Sequence, residues 1–232
     1  MSVIAERQRT TLRRVVPPPP LENGDRLGLA EFLRRYEGNA ELKKAELIEG
    51  IVCMPSPVSA EHARPDNLLQ TWLGLYSAAT PGVECYANAT TLLGPRNVAQ
   101  PDACLCLTPQ AGGRVRLSDR QYLVGAPELV VEIATSSVSI DLGDKKEAYA
   151  TSGVGEYVVW RTQESALDWF VLEDADYLAV APDGRGVIHS RRFPGLTLHV
   201  PSLLALHRAK VLSHLQRGLS STAHRVFVRS LR

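Results

Sequence analysis

Six residues, LVVEIA at positions 129–134, place a single acid inside an otherwise unbroken run of apolar, strand-forming side chains. A run that is apolar at consecutive positions reads as a strand covered on both faces, and such strands lie in the middle of layered sheets. Glu132 is therefore expected to be buried. An isolated carboxylate in such a place carries a large desolvation cost, so it needs a counter-charge, a proton or a bound cation. Any fold open to this chain must cover the strand from two sides and bring a partner to Glu132.

The flanking patterns supply the layers. AELIEGIVCMPSP, from Ala45, has a glycine between two apolar runs and ends in prolines, which predicts a hairpin or bent strand. Ser59 is placed to cap a helix over about residues 60–79, with Leu68, Leu69, Trp72, Leu73 and Tyr76 on one face, Pro65 in the early turns and Pro81-Gly82 as the stop. Further strands are expected at about 83–93, 101–108 and 127–135. A helix over about 142–152 follows, with Asp141 as N-cap, Asp144 completing an aspartate form of the capping box, and Gly153 ending it. EYVVW, ALDWFVLE, YLAVAP and VIHSRRF then read as an antiparallel meander extending the sheet. Earlier, Leu29, Phe32, Leu33 and Tyr36 recur at helical spacing. From about Pro201 the chain reads as helical again, with Leu203, Leu204, Leu206, Val211, Leu212 and Leu215 on an apolar face that would suit a homodimer. The expected class is α/β, a mixed sheet flanked by helices with an antiparallel C-terminal strand extension.

A chain of 232 residues suits one good-sized domain with appendages. Residues 1–25 hold four arginines and the Pro17 to Pro20 run and read as a flexible arm; 26–217 form the domain; 218–232 form a loose basic tail. Net charge is +1, so contact with nucleic acid would depend on a local patch rather than a global field. There is no apolar leader segment and no run long enough to span a membrane, which points to a soluble, cytoplasmic protein. Cys53, Cys85, Cys104 and Cys106 form no CxxC pair and read as free thiols.

The chemistry follows from three positions. Asp102 on one apolar strand and Glu132 on the next would repel at close range unless a cation lay between them, and magnesium held on one or two carboxylates is a common device for phosphodiester hydrolysis. Lys145, in the first turn of the following helix, can reach back to orient or help deprotonate a water and to stabilise charge on a phosphate. Tyr149, four residues on, shares its face.

These residues also carry a resemblance. ELIEG, SAEH opening a helix, QPDACL, PELVVEIATSS, DLGDKKEAY and GVGEYVVW occur in an order that resembles the Uma2 family, described as restriction-endonuclease-like within the PD-(D/E)xK superfamily. The resemblance implies a restriction-endonuclease-like mixed sheet, magnesium dependence with manganese as a substitute, and endonuclease action on nucleic acid, DNA above all. Asp102 matches the Pro-Asp aspartate and Glu132 the second acid, the two implied metal ligands. The usual lysine two residues after that acid is absent, since Ala134 stands there. Lys145 before Tyr149 fits a lysine displaced onto the next helix, with Lys146 as the fallback. Glu46 and His62 match recurrent positions as an acid behind the metal ligands and a polar group at the mouth. Thr135-Ser136 and EYVVWR depart from the pattern in the packing around the site.

Plainer roles stand beside these. Asp102 could punctuate a strand, Glu132 could pair with an arginine, Lys145 could be solvated, and His62 and Glu46 could serve structure alone. Two further functions are compatible with the residues. One is a weak or inactive nuclease-fold protein that binds nucleic acid or a partner. The other is a glycosidase using the two carboxylates, in which Lys145 would have no part.

Overall fold

The computed structural model describes residues 17–55 and 59–231. Helix α1, Leu29–Glu37, precedes a tight hairpin of β1, Glu46–Ile48, and β2, Ile51–Cys53, whose turn places Gly50 at φ +78. Helix α2, Ala60–Ala79, follows, its start capped by the Ser59 hydroxyl accepting from the His62 amide. Five strands come next: β3 Val83–Ala87, β4 Thr91–Leu92, β5 Val98–Ala99, β6 Ala103–Leu107 and β7 Arg116–Leu117. After β8, Leu123–Val124, and β9, Leu129–Ala134, the chain forms a short α3, Val138–Asp141, and then α4, Asp144–Ser152. The remainder comprises β10 Glu156–Arg161, β11 Ala166–Glu173, β12 Asp176–Ala179, β13 Val187–His189, β14 Thr197–His199, α5 Val200–Leu204, α6 Arg208–Leu219 and α7 Thr222–Ser230.

The main sheet has the order β12-β11-β10-β9-β6-β3. All six residues of β9 are buried; it runs parallel to β10 and antiparallel to β6, as a central strand apolar on both faces should. Side chains alternate between the faces. Val131 and Ile133 pack with Trp72, Tyr76 and Leu69 of α2 and with Val211 and Leu215 of α6. Val130 and Ala134 face the other way, against Ala148 and Tyr149 of α4 and Ile48 and Ala99 of a second sheet, ordered β2-β1-β5-β4-β8-β7. Parity puts Glu132 on this second face. Among the described residues no helix is long and apolar enough to cross a membrane.

Several expectations need correction. Of the arm assigned to residues 1–25, residues 1–16 lie outside the described part, but the rest is not loose. Leu21 is buried with Phe32 and Leu47, and the Gly24 amide donates to the Val52 carbonyl at 2.8 Å, so a free strand edge and an apolar hollow hold this segment. Strand β13 does not extend the main sheet; it pairs only with β14. Asp141 does not cap a helix over 142–152. It is the last residue of α3; the helix that follows, α4, starts only at Asp144, after Gly143, where a Cβ would lie 2.5 Å from the Ser139 carbonyl oxygen. The apolar face of α6, expected to suit a homodimer, is covered within the subunit by α2, α5 and β14.

The tail is likewise ordered. Ser221 caps α7 by accepting from the His224 amide, and Phe227 meets Phe193 edge to face at 6.4 Å. The buried His224 ring lies 2.9 Å from both Thr80 Oγ1 and the Leu219 carbonyl. His224, Phe227 and Leu231 are spaced i, i+3 and i+7, a helical stripe that the surrounding arginines obscured. Because Phe227 is only partly buried, Phe227→Ala is expected to lower stability by about 2 kcal/mol, below the range for a full core phenylalanine. Urea unfolding checks this, and an unchanged midpoint would restore the loose tail.

Candidate active site

Extending the β6–β9 register by one step from the Ala103↔Val131 pair sets Asp102 directly opposite Glu132 on the same face. Asp102 fastens itself there: the Ile133 amide donates to its Oδ2 at 2.8 Å. The other oxygen, Oδ1, has the Lys44 Nζ and the His62 Nε2 at 3.6 Å each. Glu132 shows the same division. Its Oε1 accepts from the Tyr149 hydroxyl at 2.7 Å and lies 2.8 Å from the Lys145 Nζ. Among the described residues no donor reaches its Oε2 and no buried polar side-chain atom is left without a partner, so Oε2 is turned to the open space.

That space is a cavity of about 610 Å³, lined by Asp102, Glu132, Glu46, Asp141, Lys145 and His62 among others. It opens at the carboxyl end of β9, between the start of α2 and the turn into α4. Lys145 forms its cationic centre: the buried ammonium lies 3.1 Å from Glu46, 2.8 Å from Glu132 and 3.6 Å from Asp141. Asp141 and Lys145 are four residues apart and meet across one turn, with Gly143 between them. Lys146 points elsewhere, with its Nζ 4.0 Å from the centre of the Phe170 ring, so it does not join the site.

The expected residues Asp102, Glu132, Lys145, Tyr149, Glu46 and His62 thus converge on one place. Two others come with them. Asp141 stands one turn before Lys145, a spacing visible in the sequence but assigned there to a cap. Lys44 precedes Glu46 by two residues and therefore shares its face of the chain.

The acids differ electrically. Burial drives Glu132 upward; Lys145 opposes this, while Asp102, Asp141 and Glu46 add to it, and the result is a carboxyl pushed up to about 8. One ammonium shared among three carboxylates does not fully offset burial for any one of them. Asp141 is raised for the same first reason. Lys145 is held well above its usual value, because the three acids outweigh burial. Asp102 goes the other way: burial would raise it, but His62, Lys44 and the Ile133 amide together hold it low. His62 is raised, chiefly by its bond to Asp102.

Two facing carboxylates on one cavity, Glu132 with one oxygen open and Asp102 with its second oxygen held only by the more distant Lys44 and His62, fit a hard divalent cation. Among the described residues no group of three or more His, Cys, Asp or Glu side chains forms a ready-made metal cage. Magnesium needs none, since it keeps several waters and takes one or two carboxylates plus substrate phosphate.

Because Glu132 binds its proton more tightly folded than unfolded, its contribution to stability is full below about 4.5 and is lost as pH rises through about 8. Raised Asp141 and His62 act in the same direction, whereas lowered Asp102 acts only in acid. The metal-free protein should therefore lose urea resistance between pH 5 and pH 8, and Glu132→Gln should flatten that slope. A wild-type midpoint constant or rising across this range would contradict the assignment.

The family model for Uma2, "Putative restriction endonuclease", matches residues 29–201. Among solved structures, a crystal structure of "a putative nuclease belonging to DUF820" from Anabaena variabilis ATCC 29413 is similar with a TM-score of 0.61 at 13% identity. The match covers 77% of this chain and 98% of that one, and at this identity it speaks for the fold. No curated protein matches the chain.

Proposed function

Because this chain belongs to the Uma2 family, we propose that it is a magnesium-dependent endonuclease hydrolysing DNA phosphodiester bonds in the cavity of Asp102, Glu132 and Lys145. The observation that carries the reading is the pair of opposed carboxylates, each offering one oxygen to the same space beside a buried lysine. Asp102 and Glu132 would hold the metal. Bound there, magnesium would neutralise phosphate charge and make a water more acidic.

The chain's own groups account for the rest. Tyr149 and Lys145 hold Glu132 by one oxygen and so direct the other. Lys145, with three acids around it, stays protonated and provides a fixed positive charge where a phosphate gains negative charge. Lys43, Lys44 and His62 line the mouth, a local basic patch able to draw in a phosphate backbone although the chain as a whole is nearly neutral. A glycosidase would give the buried lysine no task, and the family match also speaks against it.

Purified protein incubated with labelled DNA and RNA, duplex and single-stranded, in magnesium, manganese or chelator tests the proposal directly. Cleavage of DNA with metal and none with chelator is expected. Protein inert on every nucleic acid would favour the non-catalytic binding module.

Division of labour can be checked by substitution. Asp102→Ala should abolish magnesium binding by calorimetry together with cleavage. Lys145→Ala makes the cavity more negative, so binding of the metal should persist while the rate falls roughly a hundredfold or more. Lys146→Ala, which removes a group stacked on Phe170, should leave the rate near wild type. Equal activity in Lys145→Ala and wild type would remove the lysine from the mechanism.

A further inference from the structure

Two lysines reach the carboxylates of the candidate cavity, and they are held differently. Lys145 is buried among three acids, the nearest at 2.8 Å. Lys44, two residues before β1, is 27% exposed along its side chain, and its Nζ lies 3.6 Å from Asp102 Oδ1 and 3.4 Å from Asn88 Oδ1. Both distances are long beside the usual spacing of about 2.7–2.9 Å for a charge-assisted hydrogen bond. A compact ammonium held this loosely on a flexible four-carbon stem can turn away when another charge opposes it. The adjacent Lys43 also lines the cavity, but it is exposed and its ammonium meets only the Ala40 carbonyl, so the link to Asp102 belongs to Lys44 alone of the two.

Asp102 has one oxygen to give. Its Oδ2 is committed to the Ile133 amide at 2.8 Å, which leaves Oδ1 for any cation in the cavity. A divalent ion bonded to Oδ1 and an ammonium beside the same oxygen repel each other across a few ångströms. They compete for one atom. An ammonium moved off Asp102 still stands at the mouth, where a backbone phosphate is the anion that would meet it.

We infer that Lys44 is exchanged between Asp102 and the substrate: it neutralises Asp102 until a metal takes Oδ1, and then holds a phosphate of the DNA backbone. This rests on reading the cavity as a nuclease site. The exchange couples the two ligands in one direction. A metal that frees Lys44 strengthens DNA binding, and DNA that draws Lys44 away strengthens metal binding by the same factor.

The test reads metal without DNA and DNA without metal, so no cleavage intervenes. Magnesium binding is measured by calorimetry on wild type, Lys44→Ala and Lys43→Ala, the two variants losing the same charge. Lys44→Ala should bind magnesium roughly tenfold tighter than wild type, because a like charge beside the ion is gone. Lys43→Ala should stay near wild type, its charge being screened by solvent. DNA binding is then read in chelator by fluorescence anisotropy of a labelled oligonucleotide. Asp102→Asn, which releases Lys44 without any metal, should bind DNA severalfold tighter than wild type. Adding Lys44→Ala to it should remove that gain, while Lys44→Ala alone changes little, a non-additivity that a solvated or purely structural lysine would not show. Asp66→Asn removes another acid lining the cavity and controls for net charge, and urea midpoints confirm that each variant is folded. Equal magnesium affinity in Lys44→Ala and Lys43→Ala, a gain in Asp66→Asn equal to that in Asp102→Asn, or the same Lys44→Ala loss of DNA affinity with and without Asp102 would each overturn the inference. If DNA is bound and cut with magnesium but these couplings are absent, only this inference fails. If no nucleic acid binds to any variant, the nuclease reading fails with it.

Discussion

The ammonium of Lys145 is the group on which the rest of this structure turns. It sits among Glu132 from the main sheet, Glu46 from the β1–β2 hairpin and Asp141 from the turn before α4. Those acids belong to three different layers, so one buried cation ties two sheets and a helix together. Removing one partner from such a cluster leaves an uncompensated buried charge, which is far more destabilising than never having built it. With Lys145 in place, the apolar strand that carries Glu132 occupies the centre of the sheet without an uncompensated charge.

The same cluster sets two acids against each other. Asp102 has a main-chain amide, His62 and Lys44 to itself, and is held ionised. Glu132 shares one ammonium with two other carboxylates in a dry setting, and holds a proton into the neutral range. Neighbouring carboxyls whose environments drive them apart are a frequent mark of sites that do chemistry. One lysine among three acids also leaves the cavity short of positive charge, which favours a cation there in its own right.

Much of this was legible in the sequence because it rests on short-range rules. Two neighbouring apolar strands offered Asp102 and Glu132 as a pair, although only the register of β6 on β9 puts them on one face, and a lysine one helical turn ahead of Tyr149 fitted the gap. Burial of Glu132 followed from LVVEIA alone. The role of Asp141 was hidden because DLGD reads equally well as a cap, and only its place at the end of α3, beside Lys145, decides against it. Lys44 gave no signal beyond its spacing to Glu46. The docking of α7 was missed because Arg225, Arg229 and Arg232 beyond Gly218 suggested a solvated tail, while the contacts that hold it, to Thr80 and Phe193, are made by residues far away in the sequence.

The bond from the Ile133 amide to Asp102 has a consequence of its own. At this point a side-chain carboxylate takes the place of the main-chain carbonyl that would continue the β6–β9 ladder, so the sheet gives way to a cavity without leaving a buried amide unpaired. Fastened by one oxygen, Asp102 cannot swivel, and its other oxygen keeps a single heading whatever enters. The Ile133 amide proton thereby becomes a built-in spectroscopic probe. Its resonance frequency and exchange rate track the charge on the carboxylate, reporting on a silent side chain through the backbone behind it.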